Sequence, residues 1–519
     1  MSVKRIAIVG AGPSGLVSLN EFLHTNSDGT STITTLKSDN ILLPKSPAFE
    51  EVVVFEQNDD VGGVWLYNRN YDPKFPNTDN YSDPFSVRPN LNTPSDEELE
   101  GYSKSNPLVK PILEDKVIEN LWNKSAVYDD LFTNVPNRLM RFTSGFDIEV
   151  DGTDKESNIY YPFVSHDKVL EYLKKYADKF ELRKYIRFNT VVEKVFKKGE
   201  KWIVVVVQFD PINRTERWYK EEFDAVVCSV GRFNVPFVPQ IEGLTEFNKT
   251  HPGVLSHTKS FRNTDDFKDK KVLLVGSSIS AIDLLQYFIP DCKEVWLSTN
   301  SSTTKYVDDD ANDWMSQVLR DESLPIHRCP RIKRFLENGV EFQDGTIATD
   351  FDRILFATGY HLSYPFLHIE ENKDKEYIKI GSGDDYQPNY ARTKAENVYL
   401  YIFTIGEPTL AHIGLCHNPL FFLVAEADVI AMAGVWSGAK ELPPIEKQKE
   451  WCANRLKGKT SKFQMYDENT IIPYIEDCYK YSPNNRFDMT KIFIKDEVKE
   501  SKEVLKTLFY KYASGELKN

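Results

Sequence analysis

Gly10-Ala11-Gly12-Pro13-Ser14-Gly15 follows the short apolar run Lys4–Val9 and opens a stretch, residues 13–24, with helical character. Glu51-Val52-Val53-Val54-Phe55-Glu56 then reads as a second buried strand, so the chain begins as a β-α-β unit. In such a unit the first glycine permits the tight turn and the second lets backbone amides approach a pyrophosphate. The third allows the helix to lie close on the strand, and the helix N-terminus supplies positive partial charge. Glu56, at the end of the second strand, is placed to hold the hydroxyls of a ribose. The spacing of 41 from Gly15 to Glu56 exceeds the usual one of about 20, and the polar segment 25–48, read as a surface insertion, accounts for the excess. Gly62-Gly63-Val64-Trp65 follows closely. Paired glycines let backbone lie against a flat ring system that Trp65 could wall.

A second strand–turn–helix opens at Lys271-Val272-Leu273-Leu274-Val275-Gly276 and continues Ser277-Ser278-Ile279-Ser280-Ala281. It is a degraded copy of the first fingerprint, with Ser278 at the second glycine position and Ala281 at the third, where alanine is accepted. Its next strand ends at Ser298-Thr299-Asn300, with neither an acid for a ribose 2′-hydroxyl nor an arginine for a 2′-phosphate; Lys305 is the nearest cation. The reading leans toward NADP. Two decapeptides, Phe223–Arg232 and Phe351–Tyr360, repeat Phe-Asp, a buried strand, a small residue and glycine, and they flank this second unit. They are expected to be a pair of crossing strands that take the chain out of the first unit and back, with Gly231 and Gly359 passing close to cofactor.

The fold class expected is therefore α/β, with two Rossmann-like dinucleotide-binding domains, the second inserted into the first. Residues 1–232 and 358–519 form the first, with a helical C-terminal tail, and 233–357 the second. Length supports this, since 519 residues exceed one ordinary core. The net charge of −14 excludes nucleic acid as a natural partner. The six cysteines form no Cys-x-x-Cys pair, which argues against a zinc site or a redox disulfide and suits reduced thiols in the cytoplasm. The apolar stretch Pro419–Trp436 contains Glu426 and Asp428 and is read as a buried helix rather than a membrane span. Residues 68–110 are read as a long ordered loop. The sequons at Asn80, Asn123, Asn213, Asn248 and Asn300 are taken as chance occurrences.

Several motifs in order resemble the flavin-containing monooxygenases of fungal type. Residues His251–Phe261 match the family signature Phe-x-Gly-x-x-x-His-x-x-x-(Phe/Tyr) at Gly253, His257 and Phe261 and depart from it at His251. Phe356-Ala357-Thr358-Gly359-Tyr360, Phe132-Thr133-Asn134-Val135-Pro136, and Glu407-Pro408-Thr409-Leu410 with Gly414-Leu415 extend the likeness over residues 3 to about 455. The resemblance implies FAD and NADPH as cofactors, dioxygen and a small nucleophile (thiol, sulfide or amine) as substrates, and a 4a-hydroperoxyflavin sheltered by NADP⁺. It places the active-site asparagine at Asn134, whose neutral amide can both donate and accept. It implies that Thr133 and Val135 touch cofactor and that Ser280, Ala281 and Asp283 line the NADP site. His257 is expected to brace the link between domains, with no acid–base role. The competing readings are a Baeyer–Villiger or N-hydroxylating monooxygenase, a disulfide reductase, and a flavin-binding protein without catalysis.

Overall fold

The computed structural model describes residues 3–36, 42–71, 75, 93–112, 124–149, 159–299, 314–367, 379–380, 393, 395–418, 420–456, 466, 470–492 and 495–517. Asn80, Asn123, Asn300 and Lys305 lie outside them. The valine- and isoleucine-rich runs read from the sequence sit in the parallel central strands of two sheets, the first of which ends in an antiparallel edge of short strands. The first sheet has seven strands in the order Val398–Tyr399, Phe403–Thr404, Leu410–His412, Ala225–Cys228, Arg5–Val9, Glu51–Phe55, Ile186–Arg187. Helix α1 (Pro13–Leu23) follows its Arg5–Val9 strand. The second sheet has five parallel strands in the order Leu255–His257, Arg353–Phe356, Lys271–Val275, Glu294–Ser298, Ile326–Cys329. Helix α2 (Ile279–Asp291) follows its Lys271–Val275 strand. Every strand of the second sheet lies between two strands of the first in sequence, so one Rossmann-like unit is inserted in the other.

The two strands of the decapeptide repeat stand at the way out and the way back: Ala225–Cys228 is the last strand of the first sheet before the insertion and Arg353–Phe356 the last strand of the second before the chain returns. They do not pair with each other. Each lies beside its own nucleotide-type strand. The repeated aspartates do the same work in both places. Asp224 Oδ2 accepts from the amides of Lys4 and Arg5 at 2.9 and 2.8 Å, and Asp352 Oδ2 accepts from the Lys271 amide at 2.8 Å. At the other end, a Cβ on Gly10 would stand 2.8 Å from the Ser229 carbonyl oxygen, and one on Gly276 would stand 2.4 Å from that of Ala357. Ser229 and Ala357 hold the same place in the repeat, so each copy fixes the start of one nucleotide strand and presses a carbonyl against its first glycine. The crossing itself is made just downstream, where Val235–Pro236 pairs antiparallel with Tyr360–His361.

The segment 25–48 also departs from expectation, because its first part is not on the surface. Thr25, Ser31 and Ile33 are buried. The Ser31 amide donates to the Asn484 carbonyl at 3.1 Å, and the Phe487 amide donates to the Ile33 carbonyl at 2.9 Å. Its polar composition serves pairing with a distant stretch of chain. Of the expected loop 68–110, residues 72–74 and 76–92 lie outside the described residues; its end forms an edge strand, Leu108–Pro111, on an antiparallel sheet with Thr215–Phe223, Lys201–Asp210 and Thr190–Lys198.

Helix α3 (Phe421–Trp436) is buried on all sides, with Glu426 and Asp428 inside it, and packs on α1 through Phe22 stacked on Trp436 at 5.5 Å. Helix α4 (Ile471–Tyr479) packs on α3, and α5 (Lys495–Ala513) packs on α2. The C-terminal segment thus belongs to both units. Among the described residues no helix is long and apolar enough to cross a membrane.

Candidate active site

The carboxyl ends of the first sheet carry, from edge to edge, Glu56, Gly10–Gly12, Ser229–Arg232 and Gly414–His417. A cavity of about 710 Å³ runs along them and continues to the N-terminal turns of α2. Its floor at the first glycines is shaped by close approach. A Cβ on Gly15 would fall 1.8 Å from the Gly10 carbonyl oxygen, so no side chain is possible there. Gly12 and Gly63 meet each other: a Cβ on Gly63 would lie 2.7 Å from the Gly12 Cα, and one on Gly12 would lie 3.3 Å from the Gly63 Cα. The two glycine motifs therefore form one piece of wall. No side chain caps the first amides of α1, whose N-cap is Gly12, and these face the cavity with a helix dipole behind them.

Glu56 is buried at the end of its strand. Its Oε2 accepts from the Ala11 amide at 2.6 Å, and its Oε1 accepts from the Asn58 amide and side chain at 2.8 and 3.0 Å. Burial pushes its pKa upward against these hydrogen bonds. Trp65 and Val64 stand in the wall beside it, tied to the segment that follows residue 124 because Ser125 Oγ donates to the Val64 carbonyl.

Asn134 lies exposed in the wall, and among the described residues its side-chain amide has no hydrogen-bond partner. Its neighbours are committed. Thr133 Oγ1 donates to the Val135 carbonyl at 2.9 Å and accepts from the Val164 amide at 3.2 Å, while the Thr133 amide donates to the Val164 carbonyl at 2.8 Å. On the α2 side Ser280 and Asp283 line the cavity. His257 is buried. Its Nδ1 accepts from the Lys259 amide at 3.1 Å, which leaves Nε2–H to donate to the Gly359 carbonyl at 3.0 Å. Burial pushes its pKa down to about 3, so it is a neutral brace across the crossing.

The cavity brings together Gly10, Gly12, Pro13, Ser14, Glu56, Gly63, Val64, Trp65, Thr133, Asn134, Val135, Ser280 and Asp283. Five other expected residues lie outside its wall. Ala11 is buried with its amide on Glu56, Gly15 and Gly276 are packed against backbone, Ala281 is in the core beneath α2, and Ser278 is the exposed N-cap of that helix. Of the two repeat glycines, Gly231 lines the cavity and Gly359 does not.

The wall also holds residues that the sequence did not single out. Arg232, enclosed by protein, donates to the carbonyls of Gly414 and Leu415 at 3.1 and 3.4 Å, and its pKa is lowered by burial. It closes the decapeptide already noticed, which was its available signal. Tyr128 stands six residues before Asn134. Leu505 and Phe509 of α5, with Trp314, form an apolar end, and these had no motif to mark them.

The description flavin-binding monooxygenase-like fits residues 117–307 and 323–504, well over half of the chain. The chain belongs to this family. It is a flavin-dependent monooxygenase, with FAD and NADPH as cofactors. The monooxygenase is similar to flavin-containing monooxygenase iboF of Amanita muscaria, at 26% identity over 86% of this chain and 81% of that one. It is also similar to senecionine N-oxygenase of Tyria jacobaeae, at 24% identity over 69% of each. In fold it is similar to S-allyl-L-cysteine S-oxygenase from Allium sativum, with a TM-score of 0.66 at 20% identity over 99% of this chain and 96% of that one.

Proposed function

We propose that this monooxygenase uses NADPH to reduce FAD and oxygenates soft nucleophiles (thiols, sulfides or amines) through a 4a-hydroperoxyflavin. The observation that carries the proposal is one continuous cavity joining both nucleotide openings, with the free amide of Asn134 in its wall. The printed activities of two relatives, oxygenation at nitrogen and at sulfur, support the substrate class.

Residues 1–232 and 358–519 form the FAD unit and 233–357 the NADP unit. The residues present fit FAD. Glu56 takes a ribose at one end, the bare N-terminus of α1 takes the pyrophosphate, and the Gly12–Gly63 contact leaves room for it. Ser229–Arg232, with Cys416 and His417 after the next strand, would line the place of the ring system. The Gly276 turn and the N-terminus of α2 fit the second dinucleotide, whose phosphates meet Ser280 on the way to the cavity. When bound, the flavin supplies the hydride acceptor and the site of oxygen activation. Asn134 offers a donor and an acceptor without an acidic proton, which favours oxygen transfer over loss of peroxide.

The test is to reduce the purified enzyme anaerobically with NADPH, then mix it with dioxygen in a stopped-flow spectrophotometer. A persistent near-ultraviolet species that decays faster on adding a thiol is the expected result. Asn134→Ser is expected to keep its flavin, shorten the life of that species by about tenfold, the worth of one ordinary hydrogen bond, and release more peroxide. An Asn134→Ser protein with wild-type lifetime and product yield would remove Asn134 from the mechanism. Immediate reoxidation of the wild type would leave a flavoprotein without oxygenation chemistry.

A further inference from the structure

Asp283 sits in the second turn of α2, facing the cavity, yet its carboxylate is engaged by protein. Oδ2 accepts from the Tyr128 hydroxyl, and Oδ1 accepts from Gln286 Nε2 at 3.0 Å. One turn on, Tyr287 donates to the Asp130 carbonyl at 2.9 Å. The Tyr128 ring packs edge-on against Tyr287 at 5.9 Å and against Phe261 at 5.3 Å. Helix α2 therefore grips residues 128–130 at two points. Between that stretch and Asn134, Thr133 is clamped to Val164 by the paired hydrogen bonds described above. The chain leading into Asn134 is thus held to the dinucleotide helix at residues 128–130 and to the first unit at Thr133, one residue before the asparagine.

A carboxylate in the wall is a poor neighbour for a pyrophosphate, because like charges repel. Asp283 spends one oxygen on the Tyr128 hydroxyl and so ties α2 to residue 128. We infer that Tyr128 and Asp283 are a positioning pair, which sets the place of Asn134 relative to the dinucleotide helix so that the asparagine stands over the reacting edge of the flavin only when α2 is in its native position. This rests on the reading of Asn134 proposed above. Neither residue acts on substrate; both act through Asn134.

Tyr128→Phe removes the hydroxyl and keeps the ring. The full-length holoenzyme should retain its flavin, its rate of anaerobic reduction by NADPH and its calorimetric affinity for NADP⁺, each within about twofold. Amide hydrogen exchange over residues 130–135, measured with NADP⁺ present, should quicken about tenfold, the expected effect of one lost hydrogen bond. Peroxide released per NADPH should rise, and Tyr128→Phe combined with Asn134→Ser should release no more than Asn134→Ser alone. Asp283→Leu should reproduce the exchange result from the other partner, while Asp283→Asn, which keeps an acceptor, should return it to wild type. Unchanged exchange in both Tyr128→Phe and Asp283→Leu, or losses of reduction, NADP⁺ affinity and coupling in parallel, would overturn the pair. If Asn134→Ser itself releases no extra peroxide, the reading of Asn134 fails separately, and the exchange data still decide whether the pair holds this stretch.

Discussion

Gly12 and Gly63 are fifty residues apart in sequence and touch through their α-carbons, so a change at either is felt by both motifs. Gly12 has an ordinary backbone conformation, with φ at −73°, and a side chain there costs contact rather than strain. Gly12→Val is expected to give a folded protein that purifies colourless, because the added methyls occupy the space between α1 and the Gly62–Trp65 turn where the pyrophosphate passes. A yellow preparation with one flavin per chain would disprove it. Residues of this kind were legible in the sequence because backbone geometry is a local demand, written as glycines at fixed spacing. Asn134 was legible only through the family resemblance, since an asparagine before Val-Pro has no local mark. Tyr128 and its bond to Asp283 were not legible at all: the partners are brought together by the packing of α2, and spacing along the chain says nothing of that.

The elements follow the same division. The two β-α-β openings and the buried helix α3 stand where apolar runs and their length placed them. The antiparallel sheet of residues 108–223 and the docking of the C-terminal helices went unread, because their apolar positions alternate or recur without a chemical motif. The two acids inside α3, used to exclude a membrane span, have separate partners. Asp428 accepts from the Tyr474 hydroxyl of α4 at 2.7 Å, and burial pushes its pKa up to about 8 from 3.8. Between those values the folded protein holds a proton that the unfolded chain has released. Its contribution to stability is therefore complete at acid pH and is lost as pH rises toward 8. Asp428→Asn imitates the protonated form. Its melting temperature, compared with that of the wild type across a pH series, is expected to gain steadily as pH rises; a constant difference would mean that Asp428 is already ionised in the folded state.

At the scale of the whole molecule, the late part of the chain is stitched to the beginning. Arg486, fully buried, donates to Glu21 of α1 and to Glu426 of α3, each at 2.7 Å, and to Thr143 Oγ1 at 3.0 Å. Replacing it by methionine strands two buried carboxylates and is expected to cost about 3–5 kcal/mol, read as a lower denaturant midpoint; an unshifted midpoint would mean that water or a proton takes its place without loss. That hub was hidden in sequence, where Arg486 is one cation in a polar stretch. The interleaving of the two sheets also sets an order in time. By the time a ribosome has delivered residue 356, all five strands of the second sheet have emerged, but only four of the seven in the first. The inserted sheet is complete in sequence while its host still lacks the Val398–His412 strands and α3. The last stretch of chain, which lays α5 on α2 and α4 on α3, therefore finishes both units together near the end of translation.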